Sequence, residues 1–155
     1  MSFFFTYSGS FSLRSVAHGV EVLNKCAHHF EQLRAKEITR QKLRLDFKGG
    51  LFRMVHNWNL LVPIGSGSIS VVDGAPPRLV FDLNFNSLAL ATAVILGLAF
   101  GSKAAFEGRM GAIEWGPAVI LWILLVGANY VISIFRFRRF LASIVSDVPH
   151  DTVEK

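Results

Sequence analysis

The spacing of apolar residues changes along this chain, and each change marks an element. Between residues 12 and 38, Leu13, Val16, Val20, Leu23, Ala27, Phe30 and Leu33 recur at three- and four-residue intervals, the signature of one helix face. Ser12 offers an N-cap, and Glu21, Lys25, Glu31, Arg34 and Lys36 occupy the other faces. The pattern predicts an amphipathic helix over 12–38. It holds too few heptads for a coiled coil, so it is expected to pack against its own domain.

Past Gln41 the period falls to two. Leu43, Leu45 and Phe47 alternate with Lys42, Arg44, Asp46 and Lys48, and Gly49-Gly50 then turns the chain into LFRMVHNW. A further run, Ser68 to Val72, is separated by Asp-Gly-Ala-Pro-Pro from Arg78 to Phe85, where Leu79, Phe81, Leu83 and Phe85 alternate with Arg78, Val80, Asp82 and Asn84. Four short antiparallel strands with one covered face are predicted, with the helix as the cover.

The next 50 residues lose this alternation. Ser87 to Phe106 is apolar apart from Lys103 near one end, and Trp115 to Phe135 carries no charge. Each is long enough to cross the roughly 30 Å hydrocarbon layer of a bilayer. Glu107 to Glu114 reads as a short polar turn between them, with Pro117 placed in the first turn of the second helix, where its missing donor is harmless. Trp115, Trp122 and Tyr130 are candidate interface anchors. The expected fold is therefore membrane α+β: an N-terminal amphipathic helix packed on a small antiparallel β-sheet, followed by a two-helix transmembrane hairpin. Its expected divisions are a cytoplasmic domain over 1–86, a hairpin over 87–135 with spans at 87–106 and 115–135, and a basic-aromatic segment with a loose tail over 136–155.

Composition sharpens this division. Of 16 Lys or Arg and 11 Asp or Glu in 155 residues, only Lys103, Glu107, Arg109 and Glu114 lie between Asn86 and Phe135. The chain is 52% apolar with a mean hydropathy of +0.43, which is too apolar for an ordinary soluble domain. Arg136, Arg138 and Arg139 directly follow the second predicted span, whereas the connecting turn is neutral. The cation bias places both termini in the cytoplasm, in the cytoplasmic (inner) membrane, with two spans. No basic residue precedes Arg14 and the first apolar run is short, so no cleaved secretory signal is expected.

Two features of the apolar region carry candidate contacts. Ala89, Ala93, Gly97, Gly101 and Ala105 recur every four residues. Such a small-residue stripe lets helix backbones approach closely where lipid provides no hydrophobic drive for association. Its neighbour is either the second predicted helix, met through Gly127 and Ala128, or a helix of another subunit. Asn129, the strongly polar side chain deep in the second span, is expected to face protein. Beyond it, Arg136, Arg138 and Arg139 alternate with Phe137 and Phe140, which predicts a helical continuation lying at anionic lipid headgroups.

Candidate chemistry is sparse. The histidines are His18, His28, His29, His56 and His150; Cys26 and His29 lie one helical turn apart, but no second ligand pair of a zinc site accompanies them. A single cysteine forms no internal disulfide. Gly65 to Ser68 lacks the lysine of a phosphate loop and reads as a turn. His56 and Asp46 are the candidates for an acid/base pair, and Trp58 between Asn57 and Asn59 reads as a structured bend or an exposed recognition knuckle. No cofactor or metal is expected, and no basic-aromatic platform for nucleic acid. The expected function is a non-catalytic membrane accessory, scaffold or assembly subunit that contacts other membrane protein subunits, or a second copy of itself. It would do so through the small-residue face and the cytoplasmic domain. The alternative is a membrane-surface module that holds a lipid or small apolar ligand between helix and sheet.

Overall fold

The structure, a computed structural model, describes residues 5–49, 60–107 and 112–148, excluding the side chains of 103–114. The elements run β1 (Thr6–Ser12), α1 (Val16–Gln32), β2 (Glu37–Gln41), β3 (Arg44–Lys48), β4 (Ser66–Val72), β5 (Arg78–Asn84), α2 (Asn86–Glu107) and α3 (Ala112–Asp147). The five strands form one antiparallel sheet in the order β1-β5-β4-β3-β2.

This corrects the architecture expected from the pattern. A strand, not a helix, comes first, and the sheet has five strands. Among the described residues α3 is the one helix long and apolar enough to cross a membrane; the apolar part of α2, Asn86–Ser102, falls short. At 1.5 Å per residue that part spans roughly 25 Å against a hydrocarbon layer of about 30 Å. The two-helix transmembrane hairpin is therefore withdrawn. With it goes the even number of crossings from which cytoplasmic placement of both termini was argued. Pro117 also lies inside α3 rather than in its first turn, because the helix begins at Ala112.

Helix α1 is shorter than its periodicity implied. Ser15 is the N-cap, its hydroxyl accepting from His18 N–H at 3.1 Å. At the other end Ala35 N–H donates to Phe30 C=O and Arg34 N–H to Glu31 C=O, both at 2.8 Å. This is the paired closure of a Schellman motif, with Arg34 holding the left-handed position at φ 57°. The chain thus leaves the helix before residue 38 and enters β2. Gly65–Ser68 is likewise not a turn throughout, since β4 begins at Ser66. The predicted strand LFRMVHNW, with His56 and Trp58, lies outside the described residues.

Register explains how the sheet packs. Phe47, Gly67, Leu83 and Tyr7 stand in one cross-strand row, and Leu45, Ile69, Phe81 and Gly9 in the next. Side chains alternate faces along a strand, so these rows line the same, covered face. Gly9 leaves space for the Phe81 ring and Gly67 for the Phe47 ring. Each large ring thus lies over a glycine of the neighbouring strand.

Two helices cover that face. Helix α1 contributes Val22, Leu23, Cys26 and Phe30, and the C-terminal part of α3 contributes Phe137, Leu141 and Ile144, all buried. Phe137 stands at the centre, with its ring 5.5 Å from Phe81, 6.0 Å from Phe47 and 6.3 Å from Phe30. The segment after Phe135 is therefore a core element of the domain. Its apolar stripe Phe137–Leu141–Ile144 packs into the core, which leaves Arg138 and Arg139 exposed on the other faces of the segment.

Candidate interaction surfaces

Helix α3 joins the two chemistries as one rod. Its 36 residues extend about 54 Å. Beside the sheet, Tyr130 packs its ring 4.9 Å from Phe85 and donates its hydroxyl to Thr6 C=O at 3.0 Å; further on, Lys25 Nζ donates to Asp147 C=O at 2.8 Å. In the other direction Val119, Ile120, Ile123 and Leu124 are exposed. Only 17% of the helix's most apolar window is buried within the chain.

Helix α2 runs antiparallel to α3: Ala89 C=O accepts from Trp122 Nε1 at 3.0 Å, while Gly101 lies near the Trp115 ring. The small-residue stripe faces this partner. Ala89 is buried, and Ala93 and Gly97 line a slot of about 240 Å³ with Leu96, Trp115, Ala118 and Trp122. The helices meet through Trp115, Ala118 and Trp122 rather than Gly127 and Ala128; a Cβ on Gly97 or Gly127 would meet nothing within 4 Å. The side chain of Ala105 lies outside the described residues. The outer face of α2 exposes Leu90, Val94, Ile95 and Leu98.

Asn129 bonds within its own helix. Its amide donates to Leu125 C=O at 2.8 Å and the side chain is exposed. The three arginines diverge: Arg138 points toward β1, with Nη1 3.3 Å from the Tyr7 hydroxyl, whereas Arg136 and Arg139 line a cleft with His29, Gln32, Leu33, Leu60 and Phe140. Cys26 and His29 are not brought together, since Cys26 is fully buried and His29 exposed. Burial pushes the Cys26 thiol up to about 12.

The uncovered face of the sheet is a polar field that the sequence reading missed. Ser8, Asp82, Ser68, Asp46 and Thr39 form one cross-strand row, flanked by Thr6, Asn84, Ser66, Lys48 and Glu37. Together with Arg44 they line an open cleft of about 480 Å³. Its charges pair internally. Arg44 grips Asp46 through Nε and Nη2 at 2.8–3.0 Å, Lys48 meets Glu37 at 2.6 Å, and the Ser8 hydroxyl donates to Asp82. The Lys48 bond lowers the Glu37 carboxyl and Asp46 raises the Arg44 guanidinium. Asp46 is thus committed to Arg44, and His56 lies outside the described residues. Among the described residues no group of three metal-ligating side chains occurs.

The sequence signal for this face was present in β1, whose TYSGSFS alternates small polar residues with Tyr7 and Phe11. No protein-family model, curated protein or solved structure matches the chain.

Proposed function

We propose that this chain is a non-catalytic, membrane-anchored interaction module. The apolar half of α3 is held in a bilayer, and the sheet domain is presented rigidly at its surface to partner membrane proteins. The observation that carries this reading is the continuity of α3, whose lipid-compatible half and core-forming half belong to one helix with no linker between them. Trp115 to Asn129, before Tyr130 meets the sheet, measures roughly 22 Å at 1.5 Å per residue, and the exposed Val131, Ile132 and Phe135 carry the outer apolar face on to roughly 31 Å, the thickness of a hydrocarbon layer. Arg139, exposed just beyond, sits where an anionic headgroup contributes about 1 kcal/mol per cation.

The paired charges of the polar sheet face support binding over catalysis, because Asp46, Asp82 and Glu37 are each engaged by a neighbour. The alternative of a ligand held between helix and sheet is disfavoured by the rings of Phe30, Phe47, Phe81 and Phe137, which fill the described interface. The reading is tested by extracting membranes of expressing cells with alkaline carbonate. The protein is expected to stay in the pellet and to be released by mild detergent. Recovery as a detergent-free monomer in the carbonate supernatant overturns it.

A further inference from the structure

Register determines which backbone groups of the edge strand β1 point away from the sheet. Phe85 N–H donates to Phe5 C=O, and Leu13 N–H to Pro77 C=O, both at 2.8 Å. Residues facing the neighbouring strand alternate with residues facing away, so Phe5, Tyr7, Gly9, Phe11 and Leu13 bond toward β5. Thr6, Ser8, Ser10 and Ser12 turn their N–H and C=O groups outward. The Thr6 carbonyl is taken by the Tyr130 hydroxyl. Among the described residues the outward backbone groups of Ser8, Ser10 and Ser12 have no partner.

Proteins ordinarily blunt such an edge with a charge, a proline or a bulge. β1 has none of these. Its seven residues TYSGSFS pair one for one with β5. The opposite edge, β2, carries Glu37 and Arg40.

A ledge runs beside the open edge on the covered side of the sheet. Tyr7 and Phe11 are half-buried there, and Ile134 and Val145 of α3 are partly buried against the same core. Ile134, Arg138, Leu141 and Val145 follow three-four spacing along one helix stripe, and Arg138 reaches the Tyr7 hydroxyl. No carboxylate pairs with Arg138 among the described residues.

We propose that β1 accepts an added strand from a partner protein. That strand is an extended segment whose alternate apolar side chains lie on the Tyr7–Phe11–Ile134–Val145 ledge and which carries a carboxylate opposite Arg138. The ladder supplies affinity through backbone hydrogen bonds, while the ledge and the cation supply selectivity. A second copy of this chain does not fit. Helix α3 passes Phe85 at Tyr130 and Phe81 at Phe137, so it runs against β5 and along β1. Antiparallel β1–β1′ pairing would aim the two α3 helices in opposite directions, which two copies anchored in one bilayer cannot do. That exclusion alone rests on the membrane reading.

The probe is a fluorescein-labelled peptide of alternating Thr and Val with a single Glu, titrated by anisotropy against the full chain in mild detergent. Saturable binding is expected. Ser10→Pro removes an outward N–H and leaves the β1–β5 ladder intact; it is expected to weaken binding at least about tenfold, the equivalent of roughly 1.4 kcal/mol. Arg138→Gln is expected to abolish the preference for the Glu peptide over its Gln analogue. Amide hydrogen exchange reads the same contact in the wild-type chain: Ser8, Ser10 and Ser12 exchange quickly when free and become protected by the peptide, while Gly9 and Phe11 are protected throughout. Absence of binding by the wild-type chain, binding undiminished in Ser10→Pro, or even-numbered amides that stay unprotected at saturation, overturns the proposal. So does a native dimer that Ser10→Pro converts to monomer, since the edge would then belong to a second copy. Failure of carbonate retention with these results intact would overturn the membrane anchor and leave the edge site standing.

Discussion

The ring of Phe137 lies 5.5 Å from that of Phe81 and is fully buried, whereas Phe135, two residues earlier on the same helix, is 69% exposed. Two residues are about 200° apart around a helix, so at this level α3 turns one face to the domain's core and the opposite face outward. The two phenylalanines should therefore respond oppositely to truncation. Phe137→Ala is expected to destabilise the domain by about 3–5 kcal/mol, the usual cost of a large ring removed from a filled core. Phe135→Ala is expected to change it by less than about 0.5 kcal/mol. Denaturant unfolding of both variants in the same detergent, followed by tryptophan fluorescence, measures the contrast. Equal losses would mean that α3 does not enter the core as described.

Much of this arrangement was legible in the chain, but the handover inside α3 was not. The periodicity of Leu23, Ala27 and Phe30 gave the helix face that covers the sheet, although Val20 of the same series stays outside the core and Val22 and Cys26 enter it, and the alternation of Leu79, Phe81 and Leu83 gave a central strand. The RFRRF stretch reads equally well as a headgroup anchor and as a helix whose apolar stripe enters a core. Only the position of the sheet shows that the stripe enters a core, and that is tertiary information. Short edge strands were missed for a related reason. β2 contributes one partly buried apolar side chain, Ile38, and β1 replaces a large inward residue with Gly9, which erases the alternation a strand would otherwise show. The polar field on the open face arises from register across five strands, so no single segment of sequence contains it.

Gly9 itself carries a prediction. Valine has the higher strand propensity, and on an open strand Gly9→Val would stabilise by up to about 1 kcal/mol. Here a Cβ at position 9 would run into the Phe81 ring, which is held by Phe11 at 5.9 Å and by Phe137. Steric displacement of a packed ring costs about 1–3 kcal/mol, so Gly9→Val is expected to destabilise. A rise in thermal midpoint would show that Phe81 has room to move.

The C-terminus of α1 offers a gain instead. Arg34 adopts φ 57°, a region in which an L side chain costs roughly 1–2 kcal/mol and glycine almost nothing. The closing bonds from Arg34 and Ala35 use only backbone atoms and survive the substitution. Arg34→Gly is therefore expected to stabilise the domain by about 1 kcal/mol, read as a higher denaturant midpoint with an unchanged slope. A loss of stability would assign the arginine side chain a contact worth more than the strain.

Cys26 predicts the behaviour at alkaline pH. Burial raises its thiol from 9.0 to about 12, so the native state keeps this proton through a window in which the unfolded chain releases it. Between about pH 9 and 12 the unfolded state binds fewer protons, and stability falls as pH rises; below pH 9 the group contributes no slope. The Cys26→Ala variant, though less stable overall because of the vacated volume, should lack that part of the alkaline decline. Maleimide labelling provides the independent check, since thiolate is the reactive form: at pH 8 the native protein is expected to label slowly and the urea-unfolded chain completely. Rapid stoichiometric labelling of the native protein would mean that α1 does not bury this residue against the sheet.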